Sequence, residues 1–180
     1  IKILYAGNIG FFQDWDPVLF AANELLDENI EFWIIGEGVQ KEFLEKEVQN
    51  LNLTNVRIFP YQSRELIPII NNYADIHFIA INQQMEQEGF PSKVYTIMAC
   101  AKPLVVIAGE NTPLYNFLKN KNCAELVFND RNVNFTSAIR KLAKNKELRE
   151  ELGVNGYNEI INNYSKKVVV SNYANLLNSL

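Results

Sequence analysis

The sequence predicts a doubly wound α/β fold, a parallel sheet of about six strands flanked by helices, and three observations predict it. Short apolar runs alternate along the whole chain with longer stretches at helical spacing. The runs are nearly continuous rather than alternating, as in strands covered on both faces by helices. No internal repeat, low-complexity stretch or interior linker interrupts the pattern. Strands joined through helices in this way wind with right-handed crossovers into one open sheet.

The strand candidates are Ile3 to Ala6, Phe32 to Ile35, Val56 to Phe59, Ile76 to Ala80, Leu104 to Ile107 and Leu126 to Phe128. Between the first two, Val18, Ala21, Ala22, Leu25 and Leu26 fall on one helical stripe, opened by Asp16 as N-cap and Pro17 at the first helical position. Val39, Phe43, Leu44, Val48 and Leu51 make a second stripe on the same period. A third helix is expected from about Ser63 to Tyr73, with Pro68 limiting how early it can start. Further helices are expected from Pro91 to Ala101, Thr112 to Asn120, Val133 to Asn145, Lys146 to Tyr164 and Lys167 to Leu180.

Composition bounds the function. The 180 residues, 48% hydrophobic and 21% charged, suffice for one compact domain with a core and exclude a disordered chain. A net charge of -4, with no block of five or more Lys or Arg, argues against a nucleic-acid partner. No apolar run reaches the ~18 residues of a spanning helix, and no signal-peptide pattern opens the chain, so a cytoplasmic domain is expected. Cys100 and Cys123, with a single histidine, fit neither a common zinc site nor a secreted disulfide framework, and both read as reduced filler. The chain opens on Ile1 rather than Met, which reads as a piece of something longer.

Ligands of such sheets bind outside the carboxyl ends of the strands, where the winding reverses. That selects the loop Gly7 to Asp16, after the first strand, and Ile81 to Lys93, after the fourth. In the first, Gly7 and Gly10 permit a tight turn and close approach to a ligand. It is neither a dinucleotide fingerprint, because Ile9 stands where the second glycine belongs, nor a P-loop. Two glycines after a strand are more often only a turn. In the second, Pro91 suits a first helical turn, and the free amides of Ser92 and Lys93 with the helix dipole make an anion site. Lys93 adds a charge there, so a diphosphate could be held without a metal ion or cofactor. Ser92, Lys93 and Thr96 are spaced to face one crevice. On spacing alone, an ordinary capped helix with a solvated lysine fits equally well.

The run Glu88-Gly89-Phe90-Pro91-Ser92-Lys93-Val94-Tyr95-Thr96-Ile97-Met98-Ala99, closing on Lys102-Pro103-Leu104-Val105-Val106, resembles the donor-site segment of glycosyltransferase family four, the retaining GT-B enzymes. Its Pro-Ser-Lys form is similar to that of bacterial polysaccharide-building members. The likeness runs through the chain, with Gly7-Asn8-Ile9-Gly10, Ile35-Gly36-Glu37-Gly38, Asn55-Val56-Arg57-Ile58-Phe59 and Ala74-Asp75-Ile76 in family order.

The resemblance implies the C-terminal, Rossmann-like, nucleotide-sugar-binding half of such an enzyme, with an N-terminal acceptor domain outside this chain and peripheral membrane association of the whole. It implies a UDP-sugar as first choice of donor and a GDP-sugar as second. Glu88 would contact donor hexose hydroxyls as the catalytic acidic residue, and the amides from Gly89 through Phe90 to Lys93 would hold the diphosphate. Residues from Phe59 to Gln62 would flank the base, and Gly36, Glu37 and Gly38 would line the pocket floor.

The sequence departs from the family pattern at three positions. Asn8 and Gln13 stand where an Arg and a Lys usually grip phosphate, and Thr96 stands for the second Glu of the ribose site, which leaves Lys93 as the leading cation. A hydroxyl at Thr96 can make one ribose bond but not a bidentate one. Those losses keep two alternatives open, a non-catalytic nucleotide-binding domain and a nucleotide-sugar epimerase of the same fold. Of the other candidates, His77 reads as a satisfied core histidine. Glu86 reads as a solvated carboxylate, and Tyr61 reads equally as a base-stacking ring or a cover for the third strand. Tyr173, Leu176, Leu177 and Leu180 form a stripe on the last helix that would be partly exposed without the other domain.

Overall fold

The computed structural model describes residues 1–85 and 87–179. Along the chain run β1 (Lys2–Ala6), α1 (Asp16–Glu24), β2 (Glu31–Ile35), α2 (Lys41–Asn50), β3 (Val56–Phe59), α3 (Ile67–Tyr73) and β4 (Ile76–Ala80). They are followed by α4 (Lys93–Ala99), β5 (Leu104–Ile107), α5 (Pro113–Leu118), β6 (Ala124–Val127), α6 (Arg131–Lys144), α7 (Lys146–Asn163) and α8 (Lys166–Asn178). The six strands form one parallel sheet in the order β3-β2-β1-β4-β5-β6. The winding therefore reverses between β1 and β4, and a crevice opens there at the carboxyl ends of both.

Strand composition follows from this layout. All of β4 and all of β5 are buried, because helices cover both sides, and their side chains divide between two cores by strand alternation. Ile76, Phe78 and Ala80 join Ile3, Tyr5, Phe32 and Ile34 under α1 and α6, where Val18, Ala22, Phe135 and Ile139 close the layer. Ile79, Leu104 and Val106 face the other way, onto Val94, Met98, Leu114 and Ile160. Each such side chain contributes ~1.5–3 kcal/mol when fully buried. At the edges β3 and β6 are only half-buried.

Several element boundaries differ from those expected. In α1 the helix begins at Asp16 itself, Trp15 is the N-cap, and the helix stops at Glu24, short of Leu25 and Leu26. Trp15 holds that start in place by edge contact with Tyr5, at 5.0 Å between centroids, and with Phe78 at 6.5 Å. The stripe assigned to the second helix is narrower than expected, reduced to Leu44 with Val48 half-buried against the same core. Val39 lies outside α2 and is 72% exposed, Phe43 and Leu51 are exposed as well, and Leu44 alone is buried. Its buried neighbours Phe32 and Ile34 belong to the outer part of the sheet, where there is less surface to cover.

Helix α3 waits until Ile67, which puts Pro68 in the first turn, where a missing N–H costs nothing. Helix α4 is shorter than expected, and Pro91 lies ahead of it. Its entry is tight: Val94 N–H donates to Pro91 at 3.1 Å and Tyr95 N–H to Ser92 at 3.2 Å, both over three residues. Ala101, at φ 53, turns the chain away at the other end. Thr112 caps α5, its hydroxyl accepting from Tyr115 N–H at 3.2 Å. Strand β6 sits two residues earlier than expected, leaving Phe128 past its end, and α6 starts at Arg131 instead of Val133.

Helices α7 and α8 match within a residue, apart from Leu180, which lies outside the described residues. None of the described α8 side chains is buried, and Tyr173, Leu176 and Leu177 are each more than half exposed, as the stripe suggested. Cys123 is buried and Cys100 half-buried, both free. Among the described residues no helix is long and apolar enough to cross a membrane.

Close packing of α7 on the end of α4 rests on Gly153, where an added Cβ would lie 2.1 Å from the carbonyl oxygen of Ala101. Helix propensity alone favours Ala over Gly by ~1 kcal/mol. The backbone clash opposes it, and overpacking of this kind costs ~1–3 kcal/mol. Gly153→Ala is therefore expected to lower the urea midpoint, and a raised midpoint would show that α7 and α4 lie farther apart.

Candidate functional site

Three segments meet at the winding reversal. The β1 strand ends in Gly7 at φ 150, and the Gly7 N–H donates to Ile35 at 2.9 Å, so the loop after β1 lies on the loop after β2. Gly36 makes that contact possible, since a Cβ there would sit 1.9 Å from the Gly7 carbonyl oxygen. Ile9 N–H to Glu37 at 2.8 Å and Gln40 N–H to Ile9 at 3.0 Å continue the clasp. Within the loop, Gln13 folds back so that its amide oxygen accepts from Gly10 N–H at 3.0 Å. The third segment is the loop after β4, which leads into Lys93.

Lys93 is not a solvated lysine. Although its stem is partly exposed, its Nζ is buried and has no hydrogen-bond partner among the described residues. It lies 3.6 Å from the centroid of the Tyr5 ring. It also sits directly under Gly7, 2.9 Å from where a Cβ would stand, so any larger residue at position 7 would collide with the amine. Burial lowers the Lys93 pKa to about 7, so the amine is poised between its charged and neutral forms near neutral pH. A ring face offers a desolvated ammonium about 2 kcal/mol or somewhat more, against a desolvation penalty of several kcal/mol. The site is therefore electrostatically incomplete, and an anion would complete it.

The amine opens on a cavity of about 150 Å³ lined by Gly7, Tyr61, Gln62, Asn71, His77 and Thr96, among others. His77 Nε2 lies 3.0 Å from the Asn71 carbonyl oxygen, which can only accept, so the proton sits on Nε2 and the ring is neutral. Burial lowers its pKa to about 4. His77 is thus a satisfied core histidine that also walls the cavity. The Tyr5 hydroxyl donates to the Asn8 carbonyl oxygen at 2.5 Å, and burial raises its pKa well above the usual phenol value.

Of the residues singled out in the sequence, Gly7, Tyr61, Lys93 and Thr96 come together around this cavity. Asn8, Gly10 and Gln13 lie on the adjoining loop, and Gly36 supports Gly7 from below. Glu37 pairs with Lys41 at 2.7 Å, which gives its carboxylate a structural partner. The common crevice expected for Ser92, Lys93 and Thr96 is only partly formed. Ser92 is the N-cap, is exposed and does not line the cavity, because α4 begins one residue later. With α4 reduced to seven residues and a tight first turn, the buried amine is a stronger candidate for meeting an anion than the helix dipole.

The Phe90 ring turns into an aromatic cluster with Tyr95 at 5.6 Å and Phe117 at 5.3 Å, away from the cavity lining. Gly89 is needed because Phe12 fills the space of its Cβ, at 2.7 Å. Glu88 is exposed on the loop, its N–H donating to Met85 at 3.1 Å, and it does not line the cavity. Glu86 lies outside the described residues. Sequence reasoning passed over Tyr5 as the platform for the amine and Asn71 as the partner of His77. The alternation of β1 could have pointed to Tyr5, since it lies two residues before Gly7; for Asn71 there was no local signal.

Residues 1–173 match the family described as Glycosyl transferases group 1. A curated relative, the putative colanic acid biosynthesis glycosyl transferase WcaI of Escherichia coli (strain K12), is 37% identical over 112 residues, which cover 62% of this chain and 28% of that protein. The 2-deoxystreptamine N-acetyl-D-glucosaminyltransferase of Niallia circulans is 22% identical over 180 residues, covering 98% of this chain and 45% of that protein. The chain thus spans less than half the length of these relatives. Among solved structures, Anabaena HepE in complex with UDP superposes with a TM-score of 0.84 at 12% identity, over 99% of this chain and 49% of that one, a likeness of fold. The match favours a transferase over either alternative, a non-catalytic nucleotide-binding domain or an epimerase. Since it runs through nearly every element, from β1 into α8, this chain belongs to the group 1 glycosyl transferase family.

Proposed function

We propose that the crevice between β1 and β4 binds the diphosphate of a nucleotide sugar, and that the chain is the donor half of a retaining glycosyltransferase acting on a glycan or lipid-linked acceptor. The observation that carries this reading is the unpartnered, buried Lys93 amine beneath Gly7. A diphosphate oxygen would supply both the hydrogen-bond acceptor and the negative charge that the amine lacks. The names of the relatives and the UDP held by HepE point the same way. A UDP-sugar carrying a hexose or N-acetylhexosamine is the first donor to try, and a GDP-sugar the second. The acceptor domain and the second wall of the cleft belong to sequence outside this chain, at the cytoplasmic side of the membrane.

In the transfer, the acceptor hydroxyl oxygen bonds to the anomeric carbon as the bond from that carbon to the phosphate oxygen breaks; the electron pair leaves with the nucleoside diphosphate, whose phosphate oxygen takes the acceptor's proton. Charge grows on that oxygen in the transition state, and a cation already held in a dry site stabilises it without reorganising. Lys93 is the residue for that role. Glu88 would meet the hexose hydroxyls from the exposed loop after β4, and Thr96, which lines the cavity, would meet the ribose.

Two measurements test the reading. Lys93→Met keeps the apolar stem but removes the charge. Its UDP affinity by calorimetry is expected to fall by roughly 10–100-fold, the scale of a lost charge-assisted contact at ~1.5–3 kcal/mol. Its melting temperature should hold or rise, because a buried unpaired amine is removed. Unchanged UDP affinity would remove Lys93 from the site.

The second measurement is the pH profile with UDP-glucose, whose diphosphate diester keeps its charge over the range used. Free Lys93 loses its proton near pH 7, whereas a bound diphosphate favours the protonated form. Affinity is therefore highest below pH 7 and declines from pH 7 to 9, and Lys93→Arg should flatten the decline. A flat wild-type profile would contradict the assignment.

A further inference from the structure

We propose that Arg131, at the start of α6, is a positioning residue for the donor: it clamps the loop after β1 onto the end of β4 and so holds the diphosphate site in shape. The inference rests on the donor-binding reading above. Arg131 Nη1 donates to the Asp14 carboxylate at 3.1 Å and to the Ile81 carbonyl oxygen at 2.9 Å, joining positions 117 and 50 residues distant in sequence. Both side chains are largely withdrawn from water, at 14% and 20% exposure, so this is not a screened surface pair.

Between the two loops that the guanidinium joins, the direct backbone links are few. Asp14 N–H donates to Ala80 at 3.1 Å, Asn82 N–H donates to Phe12 at 2.9 Å, and Gln13 faces Ile81 in a single antiparallel bridge. A bridge that short has little stability of its own. Yet the donor-facing parts of the first loop all depend on its course. Gly7 roofs Lys93, Phe12 lies against Gly89, and Gly10 is tied to Gln13.

Arg131 is placed to stabilise that course because α6 is anchored in the core by Phe135 and Ile139. Asp130 just before it takes a left-handed φ of 39, which Asp tolerates better than most residues, and this turns the chain into α6. Without the guanidinium, the Asp14 carboxylate would remain half-buried with its charge unmatched, and the loop would have to open to hydrate it.

A purely structural role is separated from a positioning role by a control on the same helix. Arg140 pairs with Glu28 at 2.8 Å and touches neither loop. Hydrogen exchange of the free protein and calorimetry with UDP are measured for wild type, Arg131→Met, Arg131→Lys and Arg140→Met. In Arg131→Met, exchange at the Asp14 and Asn82 amides is expected to rise by roughly tenfold while Val105 and Val106 stay protected, and UDP affinity should drop by roughly tenfold, the scale of one charged contact.

Arg131→Lys should recover part of both effects, and Arg140→Met should show neither, whatever it does to the melting temperature. Wild-type exchange at Asp14 and Asn82 in Arg131→Met overturns the clamp. Equal loss of UDP affinity in Arg131→Met and Arg140→Met, or a loosened loop with undiminished affinity, overturns the positioning role. A wild-type protein that does not bind UDP refutes the donor reading instead, and the exchange data then decide the clamp alone.

Discussion

The structure turns on the pairing of β1, which accepts β2 on one side over five residues and β4 on the other through Ile3 and Leu4. Because all six strands are parallel, the loops after β1, β2 and β4 emerge at one edge of the sheet, and the reversal of winding beside β1 opens a crevice among them. Tyr5 and Gly7 come from β1 and its end, His77 from β4, and Lys93 from the helix that follows β4. No other strand pair in this sheet could bring them together. The cavity is a consequence of where the sheet changes direction.

At this edge, stability and function pull against each other. A buried amine with a ring face for company is a poor element of a core, and Gly7 sacrifices backbone restraint to make room for it. The surroundings compensate with apolar packing on both sides and with backbone bonds that tie loop to loop. His77 takes the opposite course nearby: its one donor is matched by the Asn71 carbonyl and burial keeps it neutral, so it walls the cavity without competing for an anion. Among the described lining residues, charge in the crevice is thus concentrated on Lys93. On the proposed reading, that lets the chain do without basic residues at Asn8 and Gln13.

The parts far from the crevice divide by how much they depend on this arrangement. The α7 helix presses on α4 through Gly153 and Gly156, so the helix that begins with Lys93 is braced from behind. Helix α6 reaches the crevice from below through Arg131. By contrast α8 is attached lightly and leaves an apolar face uncovered.

The strands, their parallel arrangement and the two loops at the reversal were legible in the sequence, because strands covered on both faces must be continuously apolar and helices must show their own period. Lys93 was legible as a cation near that edge, through its place after Pro91 and Ser92. Element ends were less so: the start of α4 and the narrow buried side of α2 depend on neighbours that no local pattern records. Burial of the Lys93 amine under Gly7, the pairing of His77 with Asn71 and the reach of Arg131 to Asp14 were decided only by the tertiary structure. The physical reason is that periodicity reports which side of an element faces inward, whereas desolvation and hydrogen-bond satisfaction depend on atoms brought close from distant positions in the chain.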